Sequence, residues 1–159
     1  MKYKIVERDD FQTVGINREF LCGSGEAGIP GVPEFWGEAH GSGTANRLFQ
    51  LNNGQIKGLL GITTNYNAAK NVVDYWIATE FSGQVPDGFS SFEIPASKWV
   101  VLEVHGPIPG AIIDKWKQIY SGWFPANGYE PARIPPLEAY IDSDLYSENS
   151  YNEIWIAIK

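Results

Sequence analysis

Asp74-Tyr75-Trp76-Ile77-Ala78 and Glu153-Ile154-Trp155-Ile156-Ala157 are one pattern written twice, 79 residues apart. The same offset sets Gly58-Leu59-Leu60-Gly61-Ile62-Thr63 over Leu137-Glu138-Ala139-Tyr140-Ile141-Asp142, and an offset of 80 sets Trp36 over Trp116. One register held through three segments marks an internal duplication. With only two copies of about 80 residues, the chain reads as two halves, about 1–83 and 84–159, closing on one core rather than as a stack of short repeats.

Each half reads as β, α, β, β. In the first, Tyr3 to Val6 and Thr13 to Leu21, with Asp9-Asp10 between them, are rich in apolar and β-branched residues and read as a strand followed by a strand or bulge. A Gly/Pro-punctuated loop, Gly23 to Gly31, precedes a short helix over Pro33 to His40, extended weakly through Asn46 to Gln55. Strands follow over Lys57 to Asn65 and Val72 to Phe81, around a turn at Asn65-Tyr66-Asn67-Ala68. In the second half, Phe92 to Ser97 leads into a strand over Lys98 to His105. Ile112, Ile113, Trp116, Ile119, Tyr120 and Trp123 then recur at spacings of three and four, an amphipathic helix burying one stripe. Proline and glycine in Phe124-Pro125-Ala126-Asn127-Gly128 stop it, Leu137 to Asp142 and Tyr151 to Lys159 close the unit, and Asp144 to Ser150 is a polar hairpin connection.

Successive side chains of a strand point to opposite faces, so the last strands separate core from candidate site. Ile154, Ile156 and Ile158 are expected under the helix, leaving Glu153, Trp155 and Ala157 on the other face. In the neighbouring strand Leu137, Ala139 and Ile141 oppose Glu138, Tyr140 and Asp142, and the polar set is expected to join Glu153 and Trp155 on an acidic aromatic surface. The first half repeats the layout with Asp74, Trp76 and Ala78, but carries Leu59 and Gly61 where the second carries Glu138 and Tyr140. That asymmetry leaves room for a ligand across the axis relating the halves. The bland alternative is that the aromatics fill a seam and the acids reach water.

Composition narrows the function classes. At 159 residues and 43% hydrophobic, the chain has enough apolar side chain for one globular core. A net charge of −7 without a Lys/Arg cluster removes the footprint of nucleic-acid binding. Cys22 is the lone cysteine, so neither an internal disulfide nor a cysteine metal cluster can form, and His40 and His105 lack the spacing of a metal pair. No metal or cofactor is expected. The first ten residues lack a signal-peptide apolar run and no stretch of about 18 apolar residues suggests a membrane span, so a cytoplasmic location is expected.

Four segments carry a family resemblance: Glu93 through Pro107, Trp123-Phe124-Pro125-Ala126-Asn127-Gly128-Tyr129, Pro136-Leu137-Glu138-Ala139-Tyr140, and Glu153 through Ile158. In order and spacing they resemble the GyrI-like family of effector-binding domains, which occur fused to AraC-type or MerR-type regulators and as standalone proteins. The resemblance implies a single α+β domain over 1–159. It would consist of duplicated βαββ units related by pseudo-twofold symmetry, antiparallel sheets with helices on one side, and a central aromatic cleft. It also implies a buried carboxylate that meets small cationic amphipathic or aromatic ligands, a role carried here to Glu153. Family members have proline where this chain has Ala157, so a proline bulge is not implied at that strand end.

An unpaired carboxylate in an apolar cleft costs several kcal/mol, about 2 to 7 for a polar group lacking partners, so it takes up a proton or awaits a cation. Aromatic faces add about 0.5 to 2 kcal/mol per cation without demanding one shape. The expected ligand platform is Trp76, Trp155 and Tyr140, with Trp36 as a wall and Asp74 and Glu138 as further acids. The leading function is sensing or sequestering such cations, with a separate DNA-binding regulator as partner. The alternative implied by the family is a hydrolase opening cyclopropane rings of DNA-alkylating natural products, with Glu153 as general base. Inhibition of a nucleic-acid enzyme such as gyrase follows from the family name alone.

Overall fold

β-branched and aromatic residues at alternating positions, punctuated by Pro95, Gly106-Pro107 and Gly128, divide the chain into eight strands and four helices in a computed structural model that describes residues 2–23 and 28–159. The strands are β1 (Tyr3–Arg8), β2 (Phe11–Leu21), β3 (Leu59–Asn67), β4 (Val72–Glu80), β5 (Ser90–Ile94), β6 (Ser97–His105), β7 (Leu137–Tyr140) and β8 (Tyr151–Ile158). The helices are α1 (Val32–Gly41), α2 (Thr44–Leu51), α3 (Gly110–Gln118) and α4 (Phe124–Asn127), with a π-turn over Ile119–Trp123 joining the last two. The middle of the loop expected at residues 23–31 lies outside the described residues.

The α+β class and the repeated units stand as expected, but the unit boundaries differ from the sequence halves. Phe11–Ile94 forms one compact unit, here called the contiguous unit. The segment ending at Asp10 joins Pro95–Lys159 in the other, the terminal unit. The reason lies in the outer strands. β1 runs straight into β2 in sequence yet pairs antiparallel with β6, Tyr3 opposite Leu102 and Arg8 opposite Ser97. β5 runs into β6 yet pairs with β2, Phe11 opposite Ile94 and Gly15 opposite Ser90. Pro95 has no N–H to give a ladder and ends β5, so the segment from Phe92 that reads as a lead into the strand over Lys98 to His105 holds the end of a separate strand with a different partner.

Strand order in the contiguous unit is β3-β4-β2-β5, with α1 and α2 on one face. Val14, Tyr75, Ile77 and Leu59 from the strands meet Phe35, Ala39, Ala45 and Leu48 from the helices. At roughly 1.5 to 3 kcal/mol per large apolar side chain buried, this cluster dominates the unit's stability. Gly15 is required by close approach: a Cβ there would overlap the Ile77 carbonyl and Ala78 of the paired strand. The stretch that reads as a weak helical extension is a separate helix, α2, set off by Gly43 at a φ of 84°.

Strand order in the terminal unit is β1-β6-β8-β7. Ile154, Ile156 and Ile158 lie under the helix as expected, packed with Val100, Leu102, Val104, Ile112, Ile119 and Trp123. Of the helical stripe, Ile112, Ile119 and Trp123 are buried and Ile113 and Trp116 partly so, while Tyr120 is 60% exposed. Tyr120 sits at the margin of the apolar arc, inside the π-turn, where five residues per hydrogen-bonded turn replace four. The other face of these strands is apolar too: Trp99, Val101, Leu137, Ala139, Trp155 and Ala157 are all buried.

Candidate functional site

Paired residues of an antiparallel ladder share a face, and this decides where β7 places its acid. Leu137 stands opposite Trp155, Glu138 opposite Ile154, and Ala139 opposite Glu153. Glu138 and Tyr140 therefore lie on the helix face with Ile154, and Tyr140 packs against the helix-side core. The expectation that they share the face of Glu153 and Trp155 is corrected. Alternation along β7 yields two sets, but only the cross-strand register says which set meets the helix.

Two acid–aromatic clusters result, on opposite faces of the terminal unit. On the helix face, Trp116 of α3 donates its indole N–H to Glu138 Oε2 at 3.4 Å, and the Tyr140 hydroxyl donates to the same oxygen at 3.3 Å. Both bonds are long against an ordinary 2.7 to 3.0 Å, and among the described residues Oε1 accepts none. Burial raises the Glu138 carboxyl above its ordinary range, only partly offset by the bonds from Trp116 and Tyr140. Beyond Trp116 the rings continue: Tyr120 stacks on it at 5.6 Å with planes 12° apart, and Phe124 stacks on Tyr120 at 6.1 Å and 26°. These three residues are spaced four apart, so one edge of the helix carries them as a ladder.

On the opposite face, Glu153 already has a donor on each oxygen. The Tyr151 hydroxyl donates to Oε2 at 2.6 Å and the Trp155 indole N–H to Oε1 at 3.0 Å. Glu103 stands across the ladder from Glu153, with His105 Nε2 2.7 Å from its Oε1. Burial, then the bond to Glu153, then the charges of Glu153 and Glu103 push the Tyr151 phenol far above its ordinary value. Trp155 is buried edge-on to Trp99 at 6.0 Å.

The remaining expected site residues belong to the contiguous unit. Trp76 is buried against Phe92 at 5.6 Å, on the face away from the helices. Asp74 accepts from the Asn65 side chain at 2.9 Å near the β3–β4 turn. Trp36 of α1 donates its indole N–H to the Tyr75 hydroxyl at 2.9 Å and stacks on His40 at 6.0 Å and 27°. This is the Trp116 arrangement repeated at an offset of 80, with Tyr75 as acceptor and Leu59 at the position equivalent to Glu138. Trp116, Tyr120 and Tyr151 were not among the residues assigned to the site from sequence. Trp116 and Tyr120 read as core stripe, although the alignment of Trp36 with Trp116 was the available signal.

Among the described residues no group of three His, Cys, Asp or Glu side chains could hold a metal ion, and no helix is long and apolar enough to cross a membrane.

The duplicated strand–helix–strand–strand fold is that of a GyrI-like effector-binding domain. The chain belongs to the Cass2 family, integron-associated effector binding proteins, whose family model matches residues 4–158. Among solved structures it is similar to SAV2435 bound to tetraphenylphosphonium, with 24% identity, a TM-score of 0.85, and coverage of 100% of this chain and 94% of that one. A putative bacterial transcription regulation protein from Staphylococcus aureus MU50 has 24% identity, a TM-score of 0.84, and coverage of 100% and 99%. The EcmrR C-terminal domain has 16% identity, a TM-score of 0.58, and coverage of 99% and 97%. At these identities the likeness is one of fold. No curated protein sequence matches the chain.

Proposed function

We propose that this protein binds small cationic amphipathic or aromatic molecules, with Glu138 as the carboxylate that meets the positive charge, and so senses or sequesters them. The observation that carries this reading is the state of Glu138: partly buried, raised in pKa by desolvation, held by two long bonds on one oxygen and by none among the described residues on the other. A cation at Oε1 offsets the desolvation that the fold imposes, while Trp116 and Tyr140 orient the carboxylate and supply ring faces. The family's description as effector-binding proteins and the tetraphenylphosphonium named with SAV2435 support the ligand class. The fold likeness to the C-terminal domain of EcmrR, a protein seen in complex with DNA, supports an effector role read out through a separate DNA-binding partner.

Glu153, the carboxylate expected from sequence, is the competing candidate within the same reading. Its two donors leave it better satisfied, so it has less to gain from a cation. Titration with tetraphenylphosphonium, followed by tryptophan fluorescence or calorimetry, separates the two. Glu138→Gln is expected to weaken binding about tenfold, the loss of one charge-assisted contact, and Glu153→Gln to change it little. An unchanged dissociation constant in Glu138→Gln together with a weakened one in Glu153→Gln moves the role to the opposite face. Absence of wild-type binding sinks the cation reading.

A further inference from the structure

Glu138 accounts for charge but not for shape, and shape is where the helix edge beside it is distinctive. Trp116, Tyr120 and Phe124 present near-parallel rings at consecutive helical steps, and the middle ring is the exposed one. A tyrosine 60% exposed in a stacked row leaves ring surface in water beside the carboxylate that Trp116 holds. The π-turn begins at Ile119, so Tyr120 sits where the helix widens; π-turns inside α-helices recur at functional sites. The other copy of the repeat acts as an internal contrast. There Trp36 stacks on His40 with the same spacing, but Leu59 replaces the acid, so the stacked pair exists without a charge to pair.

We propose that Tyr120 sets the selectivity of the Glu138 site, favouring flat aromatic cations that lie along the Trp116–Tyr120–Phe124 ladder over compact alkyl cations. The inference rests on Glu138 being the cation-binding carboxylate. A flat ring system covers the part of Tyr120 that Trp116 and Phe124 leave exposed, with its positive charge directed to Glu138 Oε1. A tetraalkylammonium has no face to stack. It uses the carboxylate and Trp116 and draws from Tyr120 only a cation–π contact, without the stacking area a flat ring system gains.

The test measures ethidium and tetraethylammonium affinities for the wild type, Tyr120→Leu, Tyr120→Phe and Glu138→Gln. Tyr120→Leu keeps apolar bulk and removes the π-face; it is expected to weaken ethidium about two- to tenfold and tetraethylammonium by a smaller factor, below about twofold. Tyr120→Phe is expected to bind both like the wild type, and Glu138→Gln to weaken both. Because Tyr120 is largely exposed, an unchanged melting temperature in Tyr120→Leu serves as the folding control. Equal loss for both cations in Tyr120→Leu, or loss for neither, overturns the role of Tyr120 while the charge reading stands. A Glu138→Gln variant that binds both cations like the wild type overturns the charge reading, and the role of Tyr120 with it.

Discussion

Glu138 carries a stability cost at neutral pH, which under the proposed function a bound cation offsets. Its folded pKa is raised, so the folded state holds the proton more tightly than the unfolded chain does. The stabilisation from protonation is therefore fully present below the ordinary carboxylate range and is lost as pH rises through the elevated value. At neutral pH the charged carboxylate opposes folding. Glu138→Gln, neutral at every pH, should melt higher than the wild type at pH 7, by about 2 to 4 °C if the relief is about 1 kcal/mol. The gap should close as the pH is lowered past the range in which the wild-type carboxyl takes up its proton. A variant that melts lower at pH 7 would mean that the bonds from Trp116 and Tyr140 outweigh desolvation. Asp142 behaves oppositely: backbone N–H groups of Asp144 and Tyr151 hold it below its ordinary range, so its contribution is present above that range and lost as pH falls. Sequence could nominate Glu138 and Tyr140 because carboxylates beside aromatics in a half-buried strand are unusual. It could not place them, since the opposing residue is contributed by β8, more than ten positions away.

The elements most legible in sequence are those whose signal is local. α3 follows from its apolar spacing, and the helix-facing row of β8 from strict alternation of Ile154, Ile156 and Ile158. β1 and β5 were illegible as pairing partners because nothing in Tyr3–Arg8 or Ser90–Ile94 encodes which remote strand completes its ladder. The exchange has a measurable consequence at β6, whose Glu103 N–H donates to the Lys2 carbonyl at 3.0 Å. Removing residues 1–8 is expected to speed amide exchange along β6, with Glu103 affected first, while β4 in the contiguous unit keeps its protection. Uniform loss of protection in β4 and β6 would mean that the units do not open separately. The π-turn is a second element without a local signature. Ile119-Tyr120-Ser121-Gly122-Trp123 has no proline or unusual spacing, yet its geometry leaves Tyr120 stacked on Trp116 and open to water.

At the scale of the molecule, the terminal unit is assembled from both ends of the chain and the other unit from its middle. A circular permutant that starts at Phe11 and carries residues 2–10 after Lys159, through a flexible linker of about 15 residues that makes the crossover from β8 to the parallel β1, keeps every strand pairing while making both units continuous. It is expected to retain the wild-type circular dichroism spectrum and tetraphenylphosphonium affinity. Loss of the fold would show that the covalent step from Asp10 to Phe11 is itself required. The native order imposes a schedule during synthesis. Tyr3 is made about a hundred residues before its partner Leu102, a wait of about 5 to 20 s at ordinary elongation rates. Through that interval β1 is a nascent strand without its mate, shielded chiefly by Lys2, Lys4, Glu7 and Arg8, whose charges discourage the edge from pairing with a neighbouring chain.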